Sequence, residues 1–217
     1  MLKYKRVYIL LFIGFAMLFM IPKIFALSSS SVDFEPEDVI RSIITTVVAT
    51  VGSDREYFDE HHDKLYTLVD SVLIPHFDSK KISKFVLGRN WREIEDYQRD
   101  EFEWLFTRSL IQMYALHILE YKPEYVIKFR PTDYSVCPDG PAVYCHRAVV
   151  TMILHLNKNK TTTKFFLYKH PVGEWKIWNF SIEGINFGIA YRNTYASIIK
   201  SDGIEGLLQR LRDKVNR

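Results

Sequence analysis

The side chains able to do chemistry in this 217-residue chain are few and scattered. His61-His62-Asp63 offers ligand types, but adjacent histidines on a helix point in different directions and no further ligand follows at metal spacing. A solvated helix end accounts for them. His76, between Pro75 and Asp78, could be a base with its orienting carboxylate, or a histidine packed in a turn or helix cap. Asp133 and Tyr134 lie near a strand end, and a carboxylate with a phenol in an apolar pocket can move a proton. Nothing pairs them with a further donor. No Gly-x-Ser-x-Gly, no phosphate-binding loop and no GxGxxG occurs. The reading therefore assigns no catalytic residue, no metal and no cofactor. A small-pocket, isomerase-like enzyme in a cone-shaped α+β fold stays as the alternative.

Cys137 and Cys145 enclose a loop with Pro138-Asp139-Gly140-Pro141 at its centre. In an oxidising compartment a disulfide there would staple a loop between two strands, contributing on the order of 2.5 kcal/mol. Two cysteines are too few for a four-thiolate zinc site. A redox-active pair is the other possibility, although the Cys-x-x-Cys spacing is absent.

Aromatic and aliphatic residues say more. The chain holds 15 Phe, 13 Tyr and 4 Trp. Val149 and Ile153 oppose Val150, Met152 and Leu154 along one strand, so both of its faces are apolar. A half-exposed antiparallel sheet should instead show one polar face. Either a thick core or an apolar cavity between sheet and helices satisfies this pattern.

The elements that must position these groups follow from periodicity. Pro36 opens a helix with Val39, Ile40, Ile43, Ile44, Val47 and Val48 on one broad face. Leu65, Leu68, Val69, Val72 and Leu73 mark a second amphipathic helix, and Ile82, Phe85 and Val86 a shorter one capped by Asp78 or Ser79 and closed by Gly88. From Glu95 to near Tyr121, Phe102, Leu105, Phe106, Ser109, Leu110, Met113 and His117 recur at helical steps. A helix of roughly 25 residues is about 37 Å long, enough to span a small domain. After Pro123 the period falls to 2, giving four strands near 125–130, 147–156, 161–170 and 175–182 in an antiparallel meander. Two closing helices, Ile189 to Lys200 and Ile204 to Val215, are split at Ser201-Asp202-Gly203. The fold class is α+β: N-terminal helices and two C-terminal helices on a curved four-stranded antiparallel sheet.

Residues 1–26 are read separately as a secretory signal: Lys3, Lys5 and Arg6 precede an apolar run from Val7 to Ile21, and cleavage is expected after Ala26. The run is about 15 residues, short for a span of roughly 20. Retention as an anchor is the rival, because Ile24 stands at the −3 position. Residues 27–36 form a polar tether, and 37–217 the domain. Without residues 1–26 the chain carries 25 basic and 26 acidic residues, a formal charge of −1, so nucleic acid is an unsuitable partner.

Pro75 and Asp78, Leu87-Gly88-Arg89 with Trp91, then Gln98, Phe102, Phe106, Leu110 and Tyr114 form an ordered set between Leu73 and Tyr121. In that set the chain resembles the periplasmic phospholipid-binding MlaC family of the bacterial lipid-asymmetry system, also called the toluene-tolerance family. Further matches are Trp175-Lys176-Ile177, Glu183-Gly184-Ile185, Tyr191-Arg192 and Gly203-Ile204-Glu205-Gly206-Leu207. Asn179 departs from the family's usual Asp, Asn186 from Ser, Ala190 from Asn and Tyr195 from Phe, and the cysteine pair is not a family hallmark. The resemblance implies a soluble periplasmic carrier whose cavity holds acyl tails. Such a carrier moves phospholipid between an outer-membrane lipoprotein complex and an inner-membrane ABC transporter. On that footing the expected tail contacts are Val150, Met152, Leu154, Trp178 and Phe180 from the sheet, with Phe85, Phe102 and Phe106 opposite and Ile185 on the matched motif. Each has plain core packing as its alternative. Tyr191 and Arg192 are expected at the mouth, or as a structural link between sheet and last helices.

Overall fold

In a computed structural model, the described residues are 35–122, 124–134, 146–156, 159–170 and 173–216. The signal (1–26), nearly all of the tether, and Cys137 with Cys145 lie outside them. The domain opens with α1 (Pro36–Ser53), α2 (Arg55–Glu60) and α3 (His62–Leu73), then a 3-10 turn, Ile74–His76. Next come α4 (Ser79–Leu87), α5 (Asn90–Glu93), α6 (Asp96–Ala115) and a second 3-10 turn, Leu116–Ile118. Strands β1 (Val126–Phe129), β2 (Arg147–Leu156), β3 (Asn159–Lys169), β4 (Trp175–Ile182) and β5 (Ile185–Asn186) follow, and α7 (Phe187–Val215) closes the chain. α7 is interrupted at Gly203, whose φ of 69° and ψ of −178° lie outside helical values, so the expected split falls there.

The sheet is antiparallel in the order β1-β2-β3-β4-β5, five strands rather than the expected four. The added strand follows a two-residue turn in which Glu183 (φ 50°) and Gly184 (φ 81°) both take positive φ, the requirement of a type I′ hairpin. β5 pairs Ile185 with Ile182 and covers one end of the β4 edge. Phe77 bridges Ile177 on β4, with the Asp78 amide donating to the Ile177 carbonyl at 2.7 Å. β3 begins at Asn159, two residues before the expected Thr161, because Asn159 and Lys160 already pair with Leu156 and His155.

The long helix is shorter than its apolar period suggests: 20 residues, ending at Ala115. Its start is a capping box in which Gln98 Oε1 accepts from the Glu95 amide at 3.0 Å. Beyond its end, Arg55 donates to the carbonyls of Leu119 and Tyr121, the latter at 2.5 Å, so a guanidinium replaces continued helix as their partner. α6 is tied to α7 by Arg212, which meets Glu101 through Nε–Oε1 at 2.7 Å and Nη2–Oε2 at 2.8 Å. The guanidinium beside Glu101 holds that carboxyl below its ordinary range.

Packing divides into three clusters. Ile82, Val86, Trp91, Phe102, Phe106, Tyr195 and Leu208 join α4–α7. Val39 and Ile40 of α1 meet Ala148, Val150, Leu167, Trp175 and Ile177 of the sheet. Val47, Val51, Phe58, Leu65 and Ile111 join α1–α3 to α6. At about 25 cal/mol per Å2 of apolar area, these clusters supply the driving force for folding.

Two polar joints fix the layers. Asp78 Oδ1 accepts from the Lys81 amide at 2.8 Å, capping α4, while Oδ2 accepts from the Tyr168 hydroxyl on β3. Asn179, 1% exposed on β4, donates through Nδ2 to Asn186 Oδ1 at 2.9 Å and accepts from the Gly188 amide at 3.0 Å. Asn186 Oδ1 also accepts from the Ile189 amide at 3.1 Å, which caps α7. Asn179 opens an Asn-x-Ser glycosylation sequence, but its amide is committed to this joint.

Both joints give predictions. Burial first, and then the Asp78 carboxylate, push the Tyr168 phenol up to about 12 from an unperturbed value of 10.0. The folded state therefore keeps a proton that the unfolded state releases, so the stability is intact below pH ~10 and falls as pH rises toward ~12. Denaturant titrations at about pH 8 and about pH 11 should show a smaller alkaline loss for Tyr168→Phe than for the native chain; equal losses would contradict this. At the other joint, Asn179→Asp removes a donor and sets a carboxylate against an oxygen already accepting from Ile189. It should cost about 1–3 kcal/mol. Adding Asn186→Ser supplies a hydroxyl donor and should recover most of the loss; additive losses in the double-mutant cycle would count against the account.

Candidate functional site

Cross-strand partners share a sheet face, and one face carries successive apolar rows. Val150, Phe165 and Phe180 stand in register, followed by Phe129, Met152, Thr163 and Ile182, then Ile127, Leu154 and Thr161. The first row starts in packed core, since Val150 is fully buried against the α1 cluster. Farther along, the packing loosens. Met152, Leu154, Phe180 and Ile182 are half-buried and belong to none of the three clusters.

Opposite Phe180 stand the end of α6 and the start of α7. Phe187 stacks on Phe180 at a centroid distance of 4.3 Å, and Tyr114 meets both rings edge-on, at 5.3 Å from Phe187 and 6.1 Å from Phe180. Tyr191 lies one turn beyond Phe187 and its hydroxyl donates to Met113 Sδ at 3.6 Å. Burial pushes the phenols of Tyr114 and Tyr191 up, so both stay neutral at physiological pH. The result is a seam between sheet and helices, lined by aliphatic side chains, aromatic rings, one methionine from each wall and protonated phenols. Such a lining supplies dispersion contacts and exclusion of water, not acid–base chemistry.

The expected tail contacts fall into four places. Met152, Leu154 and Phe180 line the seam, with Val150 at its packed end. Trp178 is the unpaired residue of a bulge where the register shifts between Phe166 and Leu167; its ring lies near Phe166 and edge-on to Phe85 at 5.6 Å. Phe85 and Trp178 thus form a separate aromatic pair beside Gly188, where an added Cβ would come within 2.7 Å of the Phe85 ring. Phe102 and Phe106 have no exposed surface: they stack at 5.4 Å inside the helical core, edge-on to Tyr195. Ile185 on β5 is 62% exposed. The expected mouth residues separate too. Tyr191 is half-buried and touches Phe106 at 5.3 Å, linking core to seam, while Arg192 is exposed with its guanidinium 4.9 Å over Phe85.

Phe187, Met113 and Tyr114 were not among the expected contacts. The alternation of Phe180 with Asn179 and Ser181 pointed to one wall; only the type I′ turn at Glu183-Gly184 brings Phe187 back over it. His76 and Asp78 do not pair as base and orienter. Asp78 binds the Lys81 amide and Tyr168 hydroxyl, leaving His76 without it as an orienting partner, and burial lowers the His76 pKa. The Tyr134 hydroxyl donates to Glu35 Oε2 at 2.6 Å, and Asp133 forms a backbone bridge with Val149. Among the described residues no cluster of three or more His, Cys, Asp or Glu could hold a metal ion, and no helix is long and apolar enough to cross a membrane.

Known proteins share this architecture. A phospholipid-binding protein from Ralstonia solanacearum, solved in complex with a phospholipid, superposes with a TM-score of 0.74 over 84% of this chain and 98% of that one, at 22% identity. Toluene tolerance protein ttg2D of Pseudomonas putida is 26% identical over 169 residues, which are 77% of this chain and 74% of that protein. The family profile described as MlaC protein matches residues 41–213, from α1 into the last turns of α7. The chain belongs to the MlaC family.

Proposed function

We propose that this protein is a periplasmic phospholipid carrier that holds acyl tails in the seam between its sheet and helices α6 and α7. It would shuttle glycerophospholipid between an outer-membrane lipoprotein complex and an inner-membrane ABC transporter, maintaining outer-membrane lipid asymmetry. The observation that carries this reading is the half-buried apolar sheet face that joins no packed cluster, Met152, Leu154, Phe180 and Ile182, of which Phe180 meets Tyr114 and Phe187. Family membership and the phospholipid bound by the Ralstonia protein of the same fold support it.

The energetics define what such a protein must do. Two acyl chains carry roughly 30 methylenes at ~0.8 kcal/mol each, so bare transfer through water costs on the order of 20 kcal/mol. An apolar seam removes that cost without making or breaking a covalent bond. The Phe180–Phe187 stack fills the seam at 4.3 Å, so a tail entering there must part the two rings. An aromatic pair contributes about 0.5–1.5 kcal/mol beyond its buried area, less than the burial of two methylenes. Tail entry can therefore displace the stack.

The test is native mass spectrometry of the exported chain, purified from periplasm without detergent, followed by solvent extraction. Diacyl phospholipid near one per protein is expected. Met152→Glu places a charge in the seam and should lower occupancy about tenfold or more, because an unpaired buried carboxylate costs several kcal/mol. Circular dichroism of the variant separates lost binding from lost folding. A native protein that arrives empty and stays empty after incubation with liposomes would sink the carrier reading.

A further inference from the structure

On the helical side of the molecule an open cleft of about 320 Å3 is lined by Lys84, Gly88, Arg89, Trp91, Arg92 and Arg192. Four of these side chains are cationic and none is a carboxylate. The concentration is unusual within this chain. Arg41, Arg99, Arg108, Arg210 and Arg212 each hold a carboxylate, and Arg55 holds two carbonyls. Arg89, Arg92 and Arg192 hold no such partner among the described residues. Like charges gathered in one concavity repel, and an anion relieves that repulsion.

The cleft is also held in shape. Gly88 ends α4 with φ +57°, and a Cβ there would lie 2.6 Å from Arg192 Nη2. The guanidinium therefore rests directly against the α4–α5 turn, with the Phe85 ring 4.9 Å beneath it. Packing, rather than an ion pair, fixes its position, leaving its donors for a ligand. Three residues earlier on the same face of α7 stands Ile189, 49% exposed, and Ile185 at the end of the preceding turn is 62% exposed. Exposed aliphatic side chains next to guanidinium groups suit the bilayer boundary, where apolar groups enter the headgroup layer and arginine pairs with phosphodiesters in bidentate fashion.

We propose that the cleft formed by Lys84, Arg89, Arg92 and Arg192, with Ile189 beside it, docks this protein onto anionic phospholipid surfaces by binding lipid phosphates. The net charge of the exported chain, −1 if cleavage follows Ala26, gives no general attraction to such a surface, so binding must be local. The proposal stands apart from the carrier reading, because it concerns the outside of the protein and needs no lipid in the seam.

The experiment is co-sedimentation of the full exported chain with vesicles of phosphatidylcholine alone and of phosphatidylcholine mixed with phosphatidylglycerol. Binding is expected only to the anionic vesicles, and salt that shortens the Debye length to about 3 Å should release it. Arg89→Gln/Arg92→Gln should weaken partition roughly 25-fold, since each cation near an anionic surface contributes about fivefold. Exchanging Lys160 and Lys164 on the β2–β3 hairpin for glutamine serves as the charge-matched control and should change partition far less. The native-mass occupancy of the seam should be the same for Arg89→Gln/Arg92→Gln as for the native chain. Equal binding to both vesicle types, no binding to either, or equal effects of the two double variants would each overturn the proposal; the last would show a diffuse charge effect.

Discussion

The joint at Asn179 is the constraint on which the remaining architecture depends. A β-strand that ends under a helix must turn the chain sharply while leaving no buried polar group unpaired. Asn179 does this with one amide: its oxygen takes the Gly188 amide, and its nitrogen donates to the same Asn186 oxygen that caps α7. An unsatisfied buried donor there would cost about 1–3 kcal/mol. Gly188 is required for the same reason, because a Cβ would meet the Phe85 ring at 2.7 Å and Asn179 Oδ1 at 3.0 Å.

From that joint the molecule separates into a rigid half and a yielding one. Phe102, Phe106 and Tyr195 are interlocked rings with almost no exposed surface, clamped further by Arg212 across Glu101. Close-packed interiors resist deformation, so this half serves as the frame. The seam is built differently. Met113 and Met152 are unbranched and adaptable, and its rings touch at edges or in one stack that buried methylenes can outweigh. On the carrier reading the protein must release what it holds, and a lining of weak, non-directional contacts permits both entry and exit.

The sequence made the helices and four of the five strands legible because their apolar residues recur at 3.6 and 2, and the class α+β followed from the order of the two periods. What it hid were features with no periodic trace. β5 is two residues long and depends on positive φ at Glu183, a residue type seldom read as a turn centre. The end of α6 at Ala115 reflects Arg55, sixty-odd positions away in the chain, taking up the carbonyls that follow. The bulge at Trp178 rotates a ring that strict alternation would set beside Phe180 toward Phe166 instead. Phe102 and Phe106 illustrate a deeper limit: period marks which face of a helix is apolar, not whether another helix or a ligand covers it.

α7 connects the seam to the outside by simple helical geometry. Phe187, Tyr191 and Tyr195 follow at steps of four and therefore lie along one side, the side against Phe180, Met113 and Phe106. Ile189 and Arg192 are offset from Phe187 by two and five residues, which at about 100° per residue turns them to the far side. Between Asn186 and Gly203 no residue of α7 departs from helical φ/ψ, so this segment is one unbroken helix. Tyr195 holds it in the frame with Phe102 and Phe106, and beyond the break at Gly203 Leu207, Leu208 and Leu211 hold the second half there too. On the carrier reading, the same frame-held helix therefore offers Phe187 to the seam and Ile189 with Arg192 to the outside.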